Sequence, residues 1–264
     1  MTRGPVVIES ESVSTAWALA FAGIADVPSH EIVPLIVCVT GFDENVVRED
    51  PRVRALVDAE LRGHEMQSIR TVASTIFPSS LWNPANPPQD LFDRYARVLP
   101  RLHRCRVNHN GVYFERMIRF QPKGAPAPVN QLAHLLATRE GGNHRRSAYQ
   151  LSIIDPTRDH TNQRQRGFPC LQQVSISPVG QDELSVTGFY ATQTLFERAY
   201  GNYIGLCELG RFFAHEWGRH LTRVTCVASI AELDIGAREG RAIAQRALAL
   251  IADVPETILA TNKG

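Results

Sequence analysis

Apolar and polar positions along this chain change period several times, and each change marks a predicted element. Residues 171–176 (LQQVSI) and 184–190 (LSVTGFY) are of the alternating, half-buried strand type, with Pro178, Gly180 and Asp182 between them supplying a turn. The run from Tyr203 to Trp217 is apolar nearly all round, as a helix buried on every side must be. Nearer the start, 13–24 (VSTAWALAFAGI) reads as a buried helix with Ser12 or Ser14 as N-cap. Residues 30–41 (HEIVPLIVCVTG) read as a strand buried on both faces, with Pro34 demanding a bulge or an edge.

Asp50-Pro51 opens a helix to about Glu65, because proline in a first turn lacks only an N–H that would have no partner there. Residues 68–77 form a second apolar helix that ends at Pro78, 79–88 are a loop, and 89–102 are helical and amphipathic. Further on, 113–120 are strand-like and 121–129 (QPKGAPAPV) form a loop. Asn130 caps a helix through Ala137, and 149–154 make a strand. The polar stretch 155–166 follows as a loop. Residues 224–233 are the last strand, and 237–252 an amphipathic helix laid over the sheet. The predicted class is mixed α/β (α+β), a sheet packed against one central buried helix.

Composition narrows the class of function. At 264 residues and 44% hydrophobic, the chain can bury one sizeable core, as one large or two small domains. A net charge of +1 gives no strong field for non-specific nucleic-acid or membrane binding. Cysteines at 38, 105, 170, 207 and 226 are odd in number and lack CxxC spacing, which fits a reducing compartment. No apolar run reaches the ~18 residues of a membrane span, and MTRGPVVIESES lacks the apolar core of a signal peptide. A soluble, cytoplasmic protein is expected. No metal is expected either. His103, Cys105 and His109 lack a fourth ligand at zinc-type spacing, and His215 and His220 miss the i, i+4 pairing of one helix face.

Cys170 follows Pro169 at the mouth of the predicted hairpin, near a helix start whose free N–H groups suit an anion or a carbonyl. From pattern alone this thiol is either structural or a nucleophile. Arg158, Arg164 and Arg166, just upstream, are either a solvated face or phosphate ligands.

The stretch RGFPCLQQVSISPVGQDELSVTGFYATQTLFERAYGN (166–202) resembles the thymidylate synthase family. That family has a Pro-Cys nucleophile, a hairpin, a Tyr-Gln-Arg-Ser-x-Asp strand and Phe-x-Gly-x-Pro-Phe-Asn opening a buried helix. Without gaps, Phe196 and Asn202 take the Phe and Asn positions. Asn130-Gln131-Leu132 looks like the family's Asp-Gln-Leu helix start, Asn143-His144-Arg145-Arg146 like its Ser-Arg-Arg turn, and Gly111-Val112-Tyr113 like its Pro-Val-Tyr-Gly segment. The landmarks cover roughly residues 111–234. The resemblance implies a single thymidylate synthase-like domain over 1–264, divergent over about 1–110, and an obligate dimer across the sheet.

It also implies chemistry. Cys170 would add to C6 of a pyrimidine, making C5 nucleophilic toward a one-carbon unit, methyl or hydroxymethyl. Arg145 and Arg146 look like the pair that a partner subunit donates to the nucleotide's phosphate, where planar bidentate donors are needed. Asn202 matches the Asn that reads the pyrimidine O4/N3 edge; Asp stands there in cytosine-acting hydroxymethylases. Read without the family, Asn202 is equally a helix-capping residue. Thr192 takes the place of the Ser beside the phosphate. Glu232 and Asp234 stand where the family's His-x-Tyr holds the ribose hydroxyl. The implied cofactor is 5,10-methylenetetrahydrofolate.

Several family positions are replaced. The phosphate Arg of the cysteine's own subunit falls on Ala191, the folate-facing Asp on Thr194, the Gly of the Phe-x-Gly turn on Arg198 and the His after the nucleophile on Leu171. Arg198 would either replace the lost phosphate arginine or make a surface ion pair. The Glu of the family's Glu-Leu-Leu-Trp helix has no counterpart in SIRTVASTIFP, nor its apolar tail in ILATNKG. Three readings stay open: a C5 one-carbon transferase acting on a pyrimidine nucleotide or analogue, a catalytically silent dimer that binds a nucleotide or protein, and a nucleotide-modifying enzyme that uses the thiol without folate.

Overall fold

The computed structural model describes residues 4–108, 111–142, 145–160 and 169–252. In chain order the elements are β1 (Val6–Ser10), α1 (Val13–Ala25), β2 (Glu31–Ile32), β3 (Leu35–Val39), β4 (Phe42–Asp43) and β5 (Val46–Val47). Four helices follow: α2 (Pro51–Gly63), α3 (Ile69–Ile76), α4 (Pro88–His103) and α5 (Tyr113–Ile118). Then come α6 (Gln131–Glu140), β6 (Gln150–Ser152), α7 (Pro156–Asp159), β7 (Leu171–Val179) and β8 (Glu183–Thr194). The chain closes with α8 (Tyr200–Glu216), β9 (His220–Glu232) and α9 (Ala237–Ile251). The main sheet has the order β1-β3-β9-β8-β7-β6, with β2 also pairing β9. It is mixed: β1–β3 and β8–β9 are parallel, and the other pairs antiparallel.

The two faces of this sheet differ in kind. Ladder partners Ile8, Val37, Cys226, Gly188, Val174 and Leu151 form one row across it, and every side chain in the row is buried. Gly188 is required there, since a Cβ would lie 2.7 Å from Cδ1 of Leu206 on α8. Because α8 bridges the parallel pair β8 and β9 and also packs on α3 and α1, it meets protein on all sides. The neighbouring row faces the other way: Val7, Ile36, Val227, Phe189, Gln173 and Ser152. Its Val7 and Phe189 remain 48% and 39% exposed.

Local caps fix several boundaries. The Asp50 carboxylate accepts the Arg52 N–H at the start of α2, Ser68 Oγ the Thr71 N–H at α3, and Asn130 Oδ1 the Ala133 N–H at α6. Four expectations are corrected, the first being the loop at 155–166, where Pro156–Asp159 form α7 behind the Asp155 cap. Residues 113–118 are helical rather than extended, because Phe114, Met117 and Ile118 share one buried helix face at i, i+3 and i+4. The predicted strand 30–41 is broken at Pro34 into β2 and β3. The buried helix starts before Tyr203, in a π-turn (Leu195–Ala199) that runs into α8.

Candidate functional site

Cys170 is the residue immediately before β7, and its carbonyl accepts the Ala191 N–H of β8 at 2.9 Å. Just beyond it the β7–β8 ladder slips, Leu171 facing Tyr190 and Gln173 facing Phe189, so Gln172 is an extra, bulged residue. Bulges of this kind re-aim neighbouring side chains. The Gln172 amide turns back to donate to the Pro169 carbonyl and, at 3.4 Å, to that of Cys170. The thiol itself is half-buried. Thr192 Oγ1 donates to Cys170 Sγ at 3.5 Å, and the Tyr113 phenol oxygen accepts the Leu171 N–H at 3.5 Å. Burial, followed by the neighbouring Cys170, pushes the Tyr113 phenol up to about 12, so it stays protonated near neutrality.

A cavity of about 370 Å³ opens onto this thiol. Its walls include Tyr113 and Val112 from the α5 side, Val72 and Thr75 from α3, Thr192, Gln193 and Thr194 from β8, and Asn202 from α8. The α3 wall can stand so close because of glycines on α8. A Cβ on Gly201 would lie 2.5 Å from Val72 Cβ, and one on Gly205 2.8 Å from the Ala73 carbonyl.

Asn202 is the third residue of α8 and 5% exposed. It caps no helix, and among the described residues its side-chain amide makes no hydrogen bond while lining the cavity. A carboxamide offers two donors and an acceptor, and here they line the cavity open to a ligand or to water. Gln193, 3% exposed, is in contrast engaged: it donates to Cys226 Sγ at 3.4 Å and accepts from the Tyr203 hydroxyl at 3.4 Å.

Arg198 also lines the cavity, and its charge is committed. One guanidinium nitrogen donates to Gln67 Oε1 at 2.7 Å and another pairs with Glu197 at 2.7 Å. Of the two alternatives drawn from the sequence, the ion pair is the one present, with Arg198 standing in the cavity wall.

The other sequence-derived positions lie elsewhere. Arg145 and Arg146 stand exposed on the 3₁₀ turn that leads to β6, outside the cavity lining. Glu232 ends β9, paired in the ladders with Glu31 and Thr194. Asp234 accepts the N–H groups of Phe196 and Glu197 at 2.8 and 2.9 Å, so it occupies the helix start whose donors seemed open to a ligand. Burial raises its carboxyl above the ordinary value, and those two bonds pull the other way. Asn143, His144, His109, Arg164 and Arg166 lie outside the described residues. His103 pairs with Glu115 at 2.9 Å, His215 with the Pro84 carbonyl at 2.9 Å, and among the described residues no three potential ligands cluster around a metal position.

Gln67, Gln193 and Asn108 were not foreseen, and single polar residues in loops and strand ends carry no pattern that marks them. Tyr113 had a signal, the Gly-Val-Tyr segment, but no assigned role. No protein-family model matches this chain, and no curated protein matches its sequence.

Proposed function

We propose that this protein is a thymidylate synthase-like enzyme that activates C5 of a pyrimidine nucleotide, or a close analogue, for transfer of a one-carbon unit. In the proposed step the Cys170 thiolate adds to C6, and the electron pair of the C5–C6 bond moves toward O4. C5 then bonds to the carbon electrophile, the C5 proton is lost to a base, and expulsion of the thiolate from C6 restores the double bond. The Tyr113 phenol, protonated beside the sulfur, and the Thr192 hydroxyl would orient and solvate it. The Asn202 carboxamide would present donor and acceptor together to the O4/N3 edge, which favours a uracil-type base.

The observation that supports this reading best is the convergence of Cys170, Thr192 and the Asn202 amide, which has no hydrogen-bond partner among the described residues, on one cavity. The fold agrees with it: a hairpin after the cysteine, then a buried helix, then a parallel strand. The apolar row Val7–Ile36–Val227–Phe189, exposed at Val7 and Phe189 and half-buried between them, supports a homodimer packed through that sheet face. Arg145 and Arg146 would then reach the partner's phosphate from the edge of the sheet. Neither Glu232 nor Asp234 is among the described lining residues, so either would meet a sugar hydroxyl only if the cavity extends to it on binding, and Asp234 already accepts one N–H on each carboxylate oxygen.

The lining does not reproduce a folate site. Thr194 stands where the carboxylate should be, Glu197 is held by Arg198, and Tyr113 is the only aromatic ring among the described lining residues. 5,10-Methylenetetrahydrofolate is the donor that the resemblance implies, and these lining residues do not match it. A silent, nucleotide-binding dimer is the second reading, favoured by the neutralised Arg198 and by alanine at position 191.

The test is release of tritium from 5-tritiated uracil and cytosine nucleotides, with and without methylenetetrahydrofolate. Release that vanishes in Cys170→Ser supports the adduct, and its dependence on folate settles the donor. Tight binding of the nucleotides with no release from any of them would establish the silent reading instead.

A further inference from the structure

Past Asn108 and Gly111 the thiol cavity adjoins a second hollow of about 260 Å³, lined also by His103, Glu115, Arg116, Arg119 and Arg158. Its deepest charge is already balanced. Arg116 is 5% exposed and grips both carboxylate oxygens of Asp159 at 2.9 and 3.1 Å, with a further bond to the Ile153 carbonyl at 3.2 Å. Asp159 in turn accepts the Asp155 N–H at 2.7 Å. Buried pairs of this kind add little net stability, because desolvation offsets their attraction. What this one does is fix position: it pins the 155–159 segment onto α5.

Pinning that segment brings Arg158 to the same hollow as Arg119, which follows the last residue of α5. Glu115, the one carboxylate among the described lining residues, is engaged by His103 at 2.9 Å. Arg119 and Arg158 are both exposed, and among the described residues neither guanidinium has a hydrogen-bond or ion-pair partner. Two guanidinium groups without partners, on separate elements lining one hollow, offer planar donors that an oxyanion can bridge.

Resting on the reading that the ligand's base lies against Cys170, we propose that Arg119 and Arg158 bind its phosphate, supplying from the ligand's own chain the arginine contact missing at Ala191. Arg145 and Arg146 of a second copy would complete the phosphate shell from outside. The carboxylates of a co-substrate are the other source of the same chemistry, and the arms below separate them.

The experiment compares the full-length chain with R119Q/R158Q. R62Q/R238Q, on the exposed surfaces of α2 and α9, removes equal charge outside the cavity lining. Binding of inorganic pyrophosphate is measured by calorimetry, and protection of Cys170 from iodoacetamide by deoxyuridine monophosphate against deoxyuridine. Expected are a pyrophosphate signal lost in R119Q/R158Q and kept in the control, and a nucleotide advantage over nucleoside that shrinks about tenfold or more. Nucleoside protection should not move. Pyrophosphate binding that is absent, or equal in all three proteins, overturns the proposal. A nucleotide advantage that survives in R119Q/R158Q, with protection by methylenetetrahydrofolate weakened instead, overturns the phosphate assignment and gives the hollow to the co-substrate. If neither pyrimidine protects Cys170 while pyrophosphate binding still depends on Arg119 and Arg158, the pyrimidine reading fails and the anion site stands.

Discussion

Cys170 is held from several sides, with its carbonyl in the β8 ladder, a bulge beside it, Thr192 on its sulfur and Tyr113 against the next N–H. Arg145 and Arg146 stand exposed on a short turn before β6. The contrast matches what each group would have to do. A nucleophile must be held about 3–3.5 Å from the atom it attacks, with little tolerance for misplacement, and packed neighbours supply that precision. A guanidinium that meets a phosphate from across a dimer interface tolerates a looser mount, since its long stem and planar fork adjust on contact.

The comparison breaks first at Cys170. Cys170→Ser should take C5 tritium release down to background, with the thermal unfolding midpoint nearly unchanged because the substitution is isosteric and half-buried. Unchanged turnover would remove the thiol from the mechanism. A smaller effect is expected at the turn: Arg146→Ala should weaken nucleotide binding by about 1.5–3 kcal/mol, the worth of a charge-assisted contact. Mixing Cys170→Ser with Arg146→Ala chains under subunit exchange should restore about a quarter of the sites, since half the dimers are mixed and each has one complete site. Absence of rescue would place Arg146 in the cysteine's own site or outside any site. Gly201→Ala tests the support rather than the chemistry. Its Cβ would collide with Val72 at 2.5 Å, so α3 must shift, at a cost of about 1–3 kcal/mol in denaturant unfolding. Stability equal to wild type would mean that the cavity wall is not set by this contact.

Those contacts also explain what was legible in the chain. The β7–β8 hairpin, the buried α8 and the caps at Asp50 and Asn130 are written locally, in alternation, apolar content and one polar residue each. Helix α5 was not, because six residues give too few turns for a period to emerge, and its aromatic residues mimic a strand. At the site, Cys170 and Asn202 could be read because neighbouring motif residues frame them. Gln193, Gln67 and Asn108 could not, since their place in the wall depends on α3 docking against α8, a contact between distant parts of the chain. Asp234 shows the reverse limit. A carboxylate near a helix start has the same spacing whether it grips a sugar or caps the helix, and only the two N–H contacts decide between them.

The smallest effect is expected at a partly buried carboxylate of the central helix. Glu208 lies on α8; burial raises its carboxyl above the ordinary 4.5, against the weaker opposing pull of Arg211 and Arg54. Its Oε2 has no hydrogen-bond partner, and Arg211 is 3.8 Å away. The folded chain therefore binds more protons than the unfolded chain between 4.5 and the raised value. Stability must fall as pH rises through that window, then level off once both states are ionised. Glu208→Gln removes this ionisation, so the variant should gain stability relative to wild type as pH rises from 4.5 toward neutrality, and its stability–pH curve should lose the share of the decline that Glu208 contributes. Parallel curves for the two proteins would mean that Glu208 titrates alike in both states. The arginine turn offers a control, because Arg146→Gln sits on an exposed mount and should leave the same curve unchanged.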